Sequence, residues 1–266
     1  MTFKPTLHPD LTTSLHNHST WSDGADPMEE MVRAAKDSGL RVFGLSDHWV
    51  PDPTLDFDSS EWSMPLSRLP EYMEELHHLQ KKYNDESFTL LAGLEVDYFD
   101  ENIDDVRKTL KHYPLDYIIG SCHYAGTFPV DHDPTDWIPL SQQEIDAIWD
   151  KYWTKLLAAA RTGFYTFLAH LDLPKKYGYY PTTDQTPRAL EVLDAAKKSG
   201  TAIEINTAGW HKPCKEAYPS PIILREAVQR HIPIIISADA HSIHRVDRDF
   251  EKASEYLALC TAPQVL

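Results

Sequence analysis

Short apolar runs alternate with amphipathic segments along this chain, and no other sequence feature limits its fold as strongly. The runs fall at residues 41–46 (RVFGLS), 88–94 (FTLLAGL), 116–122 (DYIIGSC), 163–169 (GFYTFLA), 201–206 (TAIEIN) and 232–238 (IPIIISA). Leu11 and Leu15 supply the tail of an earlier one. Helices are expected from about 26 to 38, 69–83, 103–112, 142–161, 187–198, 220–230 and 248–259. The fourth carries Ile145, Ile148, Trp149, Tyr152, Leu156 and Ala159 near helical spacing. For the first, Asp26 is the expected cap, Pro27 the first helical residue and Gly39 the stop. Strands alternating with helices run parallel, which gives an α/β class, as a barrel or an open sheet. No linker, composition break or repeat divides the 266 residues. One domain over 1–266 is expected, since a single α/β barrel needs about 250 residues.

The ends of the runs carry the chemistry. Six of the seven expected strands end in, or run directly into, His, Asp or Glu: His16 and His18, Asp47 and His48, Glu95, His123, His170, then Asp239 and His241. In a parallel barrel all C-terminal strand ends open on one face, where active sites are built. Residues i and i+2 of a strand share a face, so His16 and His18 project together, and Asp23 follows on the adjoining loop beside Gly24. A metal site of more than one ion is the expected outcome. Imidazole and carboxylate without thiolate fit Zn, Mn or Fe, and ligand type alone does not choose among them. Adjacent metals lower the pKa of water and clamp a phosphoryl group for in-line attack. His77, His78 and His112 sit in or at the ends of expected helices and read as surface residues.

Composition removes other classes. A net charge of −16 opposes broad nucleic-acid binding, whereas a metal centre still admits an anionic substrate by reversing the local field. Cys122, Cys214 and Cys260 form no C-x-x-C pair, so neither a disulfide framework nor a cysteine zinc site is expected. The opening MTFKPTLH lacks an apolar signal-peptide region, and no apolar run is long enough to span a membrane. The expected location is the cytoplasm. Residues 51–68 and 124–140 are long loops, and a loop of such length is often functional.

Together the motifs resemble the polymerase and histidinol phosphatase (PHP) family. His16-Asn17-His18 is followed in order by Ser22-Asp23-Gly24, Ser46-Asp47-His48, Gly93-Leu94-Glu95, Ser121-Cys122-His123, Ala169-His170 and Ala238-Asp239-Ala240-His241. The resemblance runs from residue 16 to residue 241. It implies a distorted (β/α)7 TIM-like barrel. GSCHY (120–124), HLDLPKK (170–176), INTAG (205–209) and EAYPS (216–220) look like the histidinol-phosphatase branch, although Trp210 and His211 stand where that branch often has an aliphatic residue and an arginine.

The resemblance implies three divalent metal ions. One would take His16, His18, Glu95 and Asp239; a second would share Glu95 and add His123 and His170; a third would take Asp23, His48 and His241. It also implies hydrolysis of L-histidinol phosphate to L-histidinol and phosphate, in histidine biosynthesis, with a hydroxide between the first two ions attacking phosphorus. The expected partner is a small phosphate monoester; the sequence leaves the oligomeric state open. Arg161 and Arg245 are candidates for the phosphate oxygens, Asp239 or His244 for protonating the leaving group, and Asn206 and Glu204 for the substrate's amine or imidazole. Glu204 reads equally as a buried ion-pair partner. Tyr124, Trp210 and the 51–68 loop are candidates to roof the site. Rival readings are another phosphoesterase of the family (phosphomonoesterase, tyrosine phosphatase or exonuclease), a barrel amidohydrolase, or a closed metal-binding module without turnover.

Overall fold

The computed structural model describes residues 3–7, 9–52 and 62–262. The strands are β1 (Thr13–Ser14), β2 (Val42–Leu45), β3 (His48–Trp49), β4 (Thr89–Asp97), β5 (Tyr117–Ser121), β6 (Tyr124–Ala125), β7 (Phe128–Pro129), β8 (Phe167–Leu168), β9 (Ala202–Asn206) and β10 (Ile234–Ser237). The helices are α1 (Met28–Asp37), α2 (Leu69–Tyr83), α3 (Ile103–Leu110), α4 (Gln142–Arg161), α5 (Thr186–Ser199), α6 (Pro221–Gln229) and α7 (Phe250–Thr261). The main sheet runs β1-β2-β4-β5-β8-β9-β10 with every ladder parallel, and β3 adds to β4 beyond the end of β2. The seven-membered path and its covering helices form the distorted barrel. Helices sit between successive strands because a parallel connection has to cross over.

Closure occurs at the ligand-bearing tripeptides themselves. Asn17 bridges Ala240 in parallel. The His18 N–H donates to the Ala240 carbonyl at 2.8 Å, and the Ala240 N–H donates to the His16 carbonyl at 3.1 Å. The bond that joins first strand to last thus aligns His16 and His18 with Asp239 and His241.

Strand parity sorts the interior into levels. Leu15, Leu91, Tyr117, Ile119, Phe167, Ala169, Ala202 and Ile235 form a buried cluster inside the barrel. The same strand faces, two to six residues on, carry Glu95, Asp97, Glu204 and Ser237, so the apolar plug supports a polar layer at the C-terminal ends. Tyr117 reaches across this plug. Its side chain fills the space over Gly44 and Gly93, where a Cβ would stand 2.2 Å from the hydroxyl oxygen and 2.2 Å from the ring, respectively, and its hydroxyl donates to the Leu15 carbonyl at 2.6 Å. A larger buried cluster lies between the sheet and the helices, including Met31, Tyr72, Leu76, Trp153, Leu156, Leu193 and Leu224.

The helix ends show where local signals act. Ser141 and Glu144 form a reciprocal capping box on α4. Asp26 differs from expectation: Pro27 occupies the N-cap of α1 without a side-chain bond. The Asp26 carboxylate instead accepts from the Ile243 N–H at 2.9 Å, tying α1 to the last strand's loop. Within the 124–140 loop, β6 and β7 pair as a small antiparallel hairpin. Half of the 51–68 loop (53–61) lies outside the described residues. No described helix is long and apolar enough to cross a membrane. The three cysteines are free.

Candidate metal centre

Glu95 stands at the hub of the ligand set. It is fully buried near the end of β4. Oε2 lies 3.0 Å from His16 Nε2, 3.5 Å from His18 Nε2 and 2.9 Å from His48 Nδ1. Oε1 lies 3.1 Å from His170 Nε2 and 3.6 Å from His123 Nε2. One carboxylate therefore faces two groups of imidazoles with its two oxygens. Asp239 Oδ1 lies 3.6 Å from His16 Nε2 and 3.3 Å from His18 Nε2. Asp23 meets His241 at 3.2 Å and His48 at 3.7 Å.

All nine expected ligands gather at this end of the barrel. Four sets can each bring their ligand atoms within 4.8 Å of one another: His18, Asp23, His48 and His241; His16, His18 and Glu95; His16, His170 and Asp239; and His48, Glu95 and His123. The grouping is more interlocked than three separate sets, because His18 and His48 each reach two of them. Asp47, although adjacent to His48 in sequence, faces away. Its carboxylate accepts from the Ser19 and Ser22 N–H groups at 2.7 and 3.2 Å and from both serine hydroxyls. It shapes the turn that presents Asp23.

The backbone is strained where it aims these side chains. His170 and Asp239 adopt φ of 24° and 49°, in the left-handed region that non-glycine residues avoid. Such conformations cluster at functional sites, held by surrounding structure. Gly24 meets the opposite requirement: a Cβ there would sit 2.6 Å from the His18 carbonyl carbon. Only hydrogen fits between the S-D-G turn and the H-x-H backbone.

A second tier of carboxylates orients the imidazoles. His123 donates Nδ1 to Asp97 Oδ1 at 2.5 Å, and its backbone N–H donates to Asp97 Oδ2 at 2.9 Å. His16 Nδ1 lies 3.0 Å from Glu204 Oε2. Glu204 also accepts from the His170 N–H at 2.8 Å and from the Ser237 hydroxyl. Such partners fix the tautomer, leaving Nε2 as the ligating atom. Burial opposes charge on His123, but Asp97, Asp131 and Glu95 outweigh it and push its pKa up to about 10, so an ion binding at Nε2 has to displace a proton there. His18 goes the other way. Burial, then His48 and His241, push it down to about 3, and neither of its buried ring nitrogens has a hydrogen-bond partner. A neutral imidazole with an uncommitted lone pair is the form that ligates metal. With the all-nitrogen-and-oxygen donor set, this orphaned ring fits a divalent ion.

The pocket above the ligands encloses about 490 Å³. Asp23, His48, His123, His170, Asp239 and His241 form its floor; Trp62, Tyr124 and Asp131 stand among its walls, with Lys176, Lys212 and Arg245. Arg245, expected at the phosphate, is among them. Four other expectations need correction. Arg161 is exposed at the C-terminal end of α4 and precedes β8, so chain direction puts it at the opposite rim from the pocket. Asn206 is fully buried, and its amide donates to Glu204 at 2.9 Å and to Asp239 Oδ2 at 3.2 Å. It orients carboxylates and does not face the substrate space. His244 is exposed and does not line the pocket. Trp210 likewise turns away, packing its ring against Tyr256 and under Lys252.

Sequence reading missed Asp97, Asp131, Lys176 and Lys212. Asp97 had a signal: it lies two residues beyond Glu95 on the same strand, hence on the same face. Lys176 lies in a 3-10 helix of five residues, and Lys212 and Asp131 in irregular connections, all too short or irregular for periodicity to mark direction.

A profile of the PHP domain matches residues 14–208. The chain belongs to the PHP family. Among curated PHP relatives, a Deinococcus radiodurans protein named "Probable histidinol-phosphatase" is 35% identical over 244 residues, covering 91% of this chain and 89% of the relative. The histidinol-phosphatase of Bacillus subtilis is 29% identical over 248 residues, covering 85% and 91%. A crystal structure of histidinol phosphate phosphatase from Lactococcus lactis, complexed with Zn, L-histidinol and phosphate, superposes with a TM-score of 0.75 at 21% identity, covering 94% of each chain. That likeness shows that the PHP chain shares its fold.

Proposed function

We propose that this protein is a histidinol-phosphatase, a metal-dependent phosphoric monoester hydrolase that converts L-histidinol phosphate to L-histidinol and phosphate, acting as one domain over 1–266. The observation that carries the reading is Glu95, whose two oxygens face two groups of imidazoles directly beneath a pocket edged by Lys176, Lys212 and Arg245. The relatives bearing the histidinol-phosphatase name support the choice of substrate.

In this reading three divalent ions are held: one by His16, His18, Glu95 and Asp239, one by Glu95, His123 and His170, and one by Asp23, His48 and His241. When bound, such ions neutralise phosphate oxygens and lower the pKa of water. The chain's own side chains do the rest. Lys176, Lys212 and Arg245 draw the phosphate oxygens in and hold them, as cations do for phosphate. Their positive field offsets the net charge of −16 locally. Asp97 and Glu204 keep the Nε2 atoms of His123 and His16 aimed inward. Asn206 holds Asp239 Oδ2, leaving Oδ1 toward His16 and His18. The location is the cytoplasm, where a biosynthetic phosphatase meets its substrate.

The test is phosphate release from L-histidinol phosphate by protein reconstituted with Zn, Mn or Fe, beside a panel of other phosphomonoesters. Preferred turnover of L-histidinol phosphate is expected. Much faster turnover of another ester overturns the substrate; no phosphate release with any metal overturns the phosphatase.

A further inference from the structure

Behind the catalytic pocket lies a second crevice of about 260 Å³, walled by α4, the connection into α5, and the segment leading into α6. The two cavities share a partition, the short 3-10 helix Leu173–Tyr177 with the residue before it. Leu173 and Lys176 line the catalytic pocket, whereas Asp172 and Lys175 line the crevice. The partition is rigidly tied. Lys175, only 2% exposed, donates to Asp172 Oδ2 at 2.9 Å, to Glu216 at 3.2 Å and to the Ala217 carbonyl at 2.8 Å.

The crevice keeps polar capacity that the fold leaves unused. Asp172 is 3% exposed, and its Oδ1 has no hydrogen-bond partner; Gln185 Oε1 is also buried and unpartnered. A buried acceptor left unpaired is destabilising, so a donor there is favoured. Asp172, Asp184 and Glu216 outnumber Lys175 among the lining charges. Trp149 and the half-exposed Tyr180 add aromatic faces, and Ile222 and Ile223 an apolar edge. Acidic oxygens beside aromatic rings recognise an ammonium group carried on an apolar body.

We propose that this crevice is a second binding site, for small organic ammonium ions, and that its occupancy is transmitted through the Leu173–Tyr177 partition to the catalytic pocket. None of its lining residues belongs to the metal centre.

The probe is tyramine, with tyrosol as its neutral counterpart, titrated by calorimetry into the metal-loaded protein. Saturable one-to-one binding of tyramine is expected, at least tenfold tighter than tyrosol. Asp172→Asn and Ile222→Arg should each weaken it at least tenfold. Ile222 is 54% exposed on α6, so its variant tests the site without disturbing the core. Tyramine should also shift the KM for L-histidinol phosphate at least threefold in the wild type and not in Ile222→Arg. This kinetic arm rests on the phosphatase reading and the binding arm does not, so failure of that reading leaves the titration decisive. No saturable binding, equal binding of tyrosol, binding untouched by both variants, or binding without a KM shift in an active phosphatase would each overturn the proposal.

Discussion

Asp97 Oδ1 lies 2.5 Å from Nδ1 of His123, and the same carboxylate accepts the His123 backbone N–H. The imidazole is thus held from behind at ring and main chain together, with Nε2 toward Glu95. The His123 charge in turn holds the Asp97 carboxyl well below its usual range, although burial works against that. Asp97→Ala should lower metal affinity by about 10–100-fold, the usual cost of losing such a partner. Chelator competition and metal content by mass spectrometry read this directly. Unchanged affinity would remove Asp97 from the metal centre.

Lys212 and Lys176 should both matter for substrate capture. Each charge-assisted hydrogen bond is worth about 1.5–3 kcal/mol, so Lys212→Met or Lys176→Met should reduce kcat/KM by roughly 10–150-fold. Arg161→Ala should leave it within about twofold, because surface changes away from the site act weakly.

The pH profile separates Lys212 from its neighbours. Burial, with Lys176 beside it and Arg245 also near, lowers the Lys212 pKa; Asp239 and Asp131 pull the other way without prevailing. Its charge is therefore lost at lower pH than that of an ordinary lysine. Binding of a phosphate ester should weaken on the alkaline side as Lys212 deprotonates, and that limb of kcat/KM should flatten in Lys212→Met. A profile identical to wild type would exclude Lys212 from phosphate binding.

Metal removal should destabilise the protein. Ions at about a thousand times their Kd contribute about 4 kcal/mol of folding stability, and about 2–4 °C accompanies each kcal/mol in a chain of this size. EDTA should thus lower Tm by about 8–16 °C, with recovery on adding Zn. A melt insensitive to chelator would argue against ions in the barrel.

Gly24→Ala tests the turn against the H-x-H backbone. Its Cβ would meet main-chain atoms, which do not yield as a flexible side chain does. A loss of about 1–3 kcal/mol is expected, read by denaturant unfolding, with reduced metal content because Asp23 is displaced.

Much of the site was legible because two periodicities carry it. Glu95 and Asp239 follow apolar strands, and parallel order sends every strand end to one face. His16 and His18 share a face through strand parity. Arg161 failed for the complementary reason: it looked suitable by type, but it precedes its strand and so belongs at the other rim. His244 shared the neighbourhood of Asp239 in sequence and still faces solvent, since the 3-10 helix Ile243–Arg245 has no strand to fix its direction.

The sequence by itself determined the α/β alternation and the strand ends that gather at one mouth, because hydrophobic period and chain direction are local properties; the barrel and the choice of nine ligands, with Asp23 in and Asp47 out, came from the resemblance to the PHP family. Only the tertiary structure decided that His18 and His48 each serve two ligand groups, that Asn206 braces Asp239, and that Lys176 and Asp172 lie on opposite sides of one partition. These are relations between side chains 4 to 223 positions apart whose approach depends on how the ring closes at Asn17 and Ala240. Closure fixes all the strand ends at once, and no single segment encodes it.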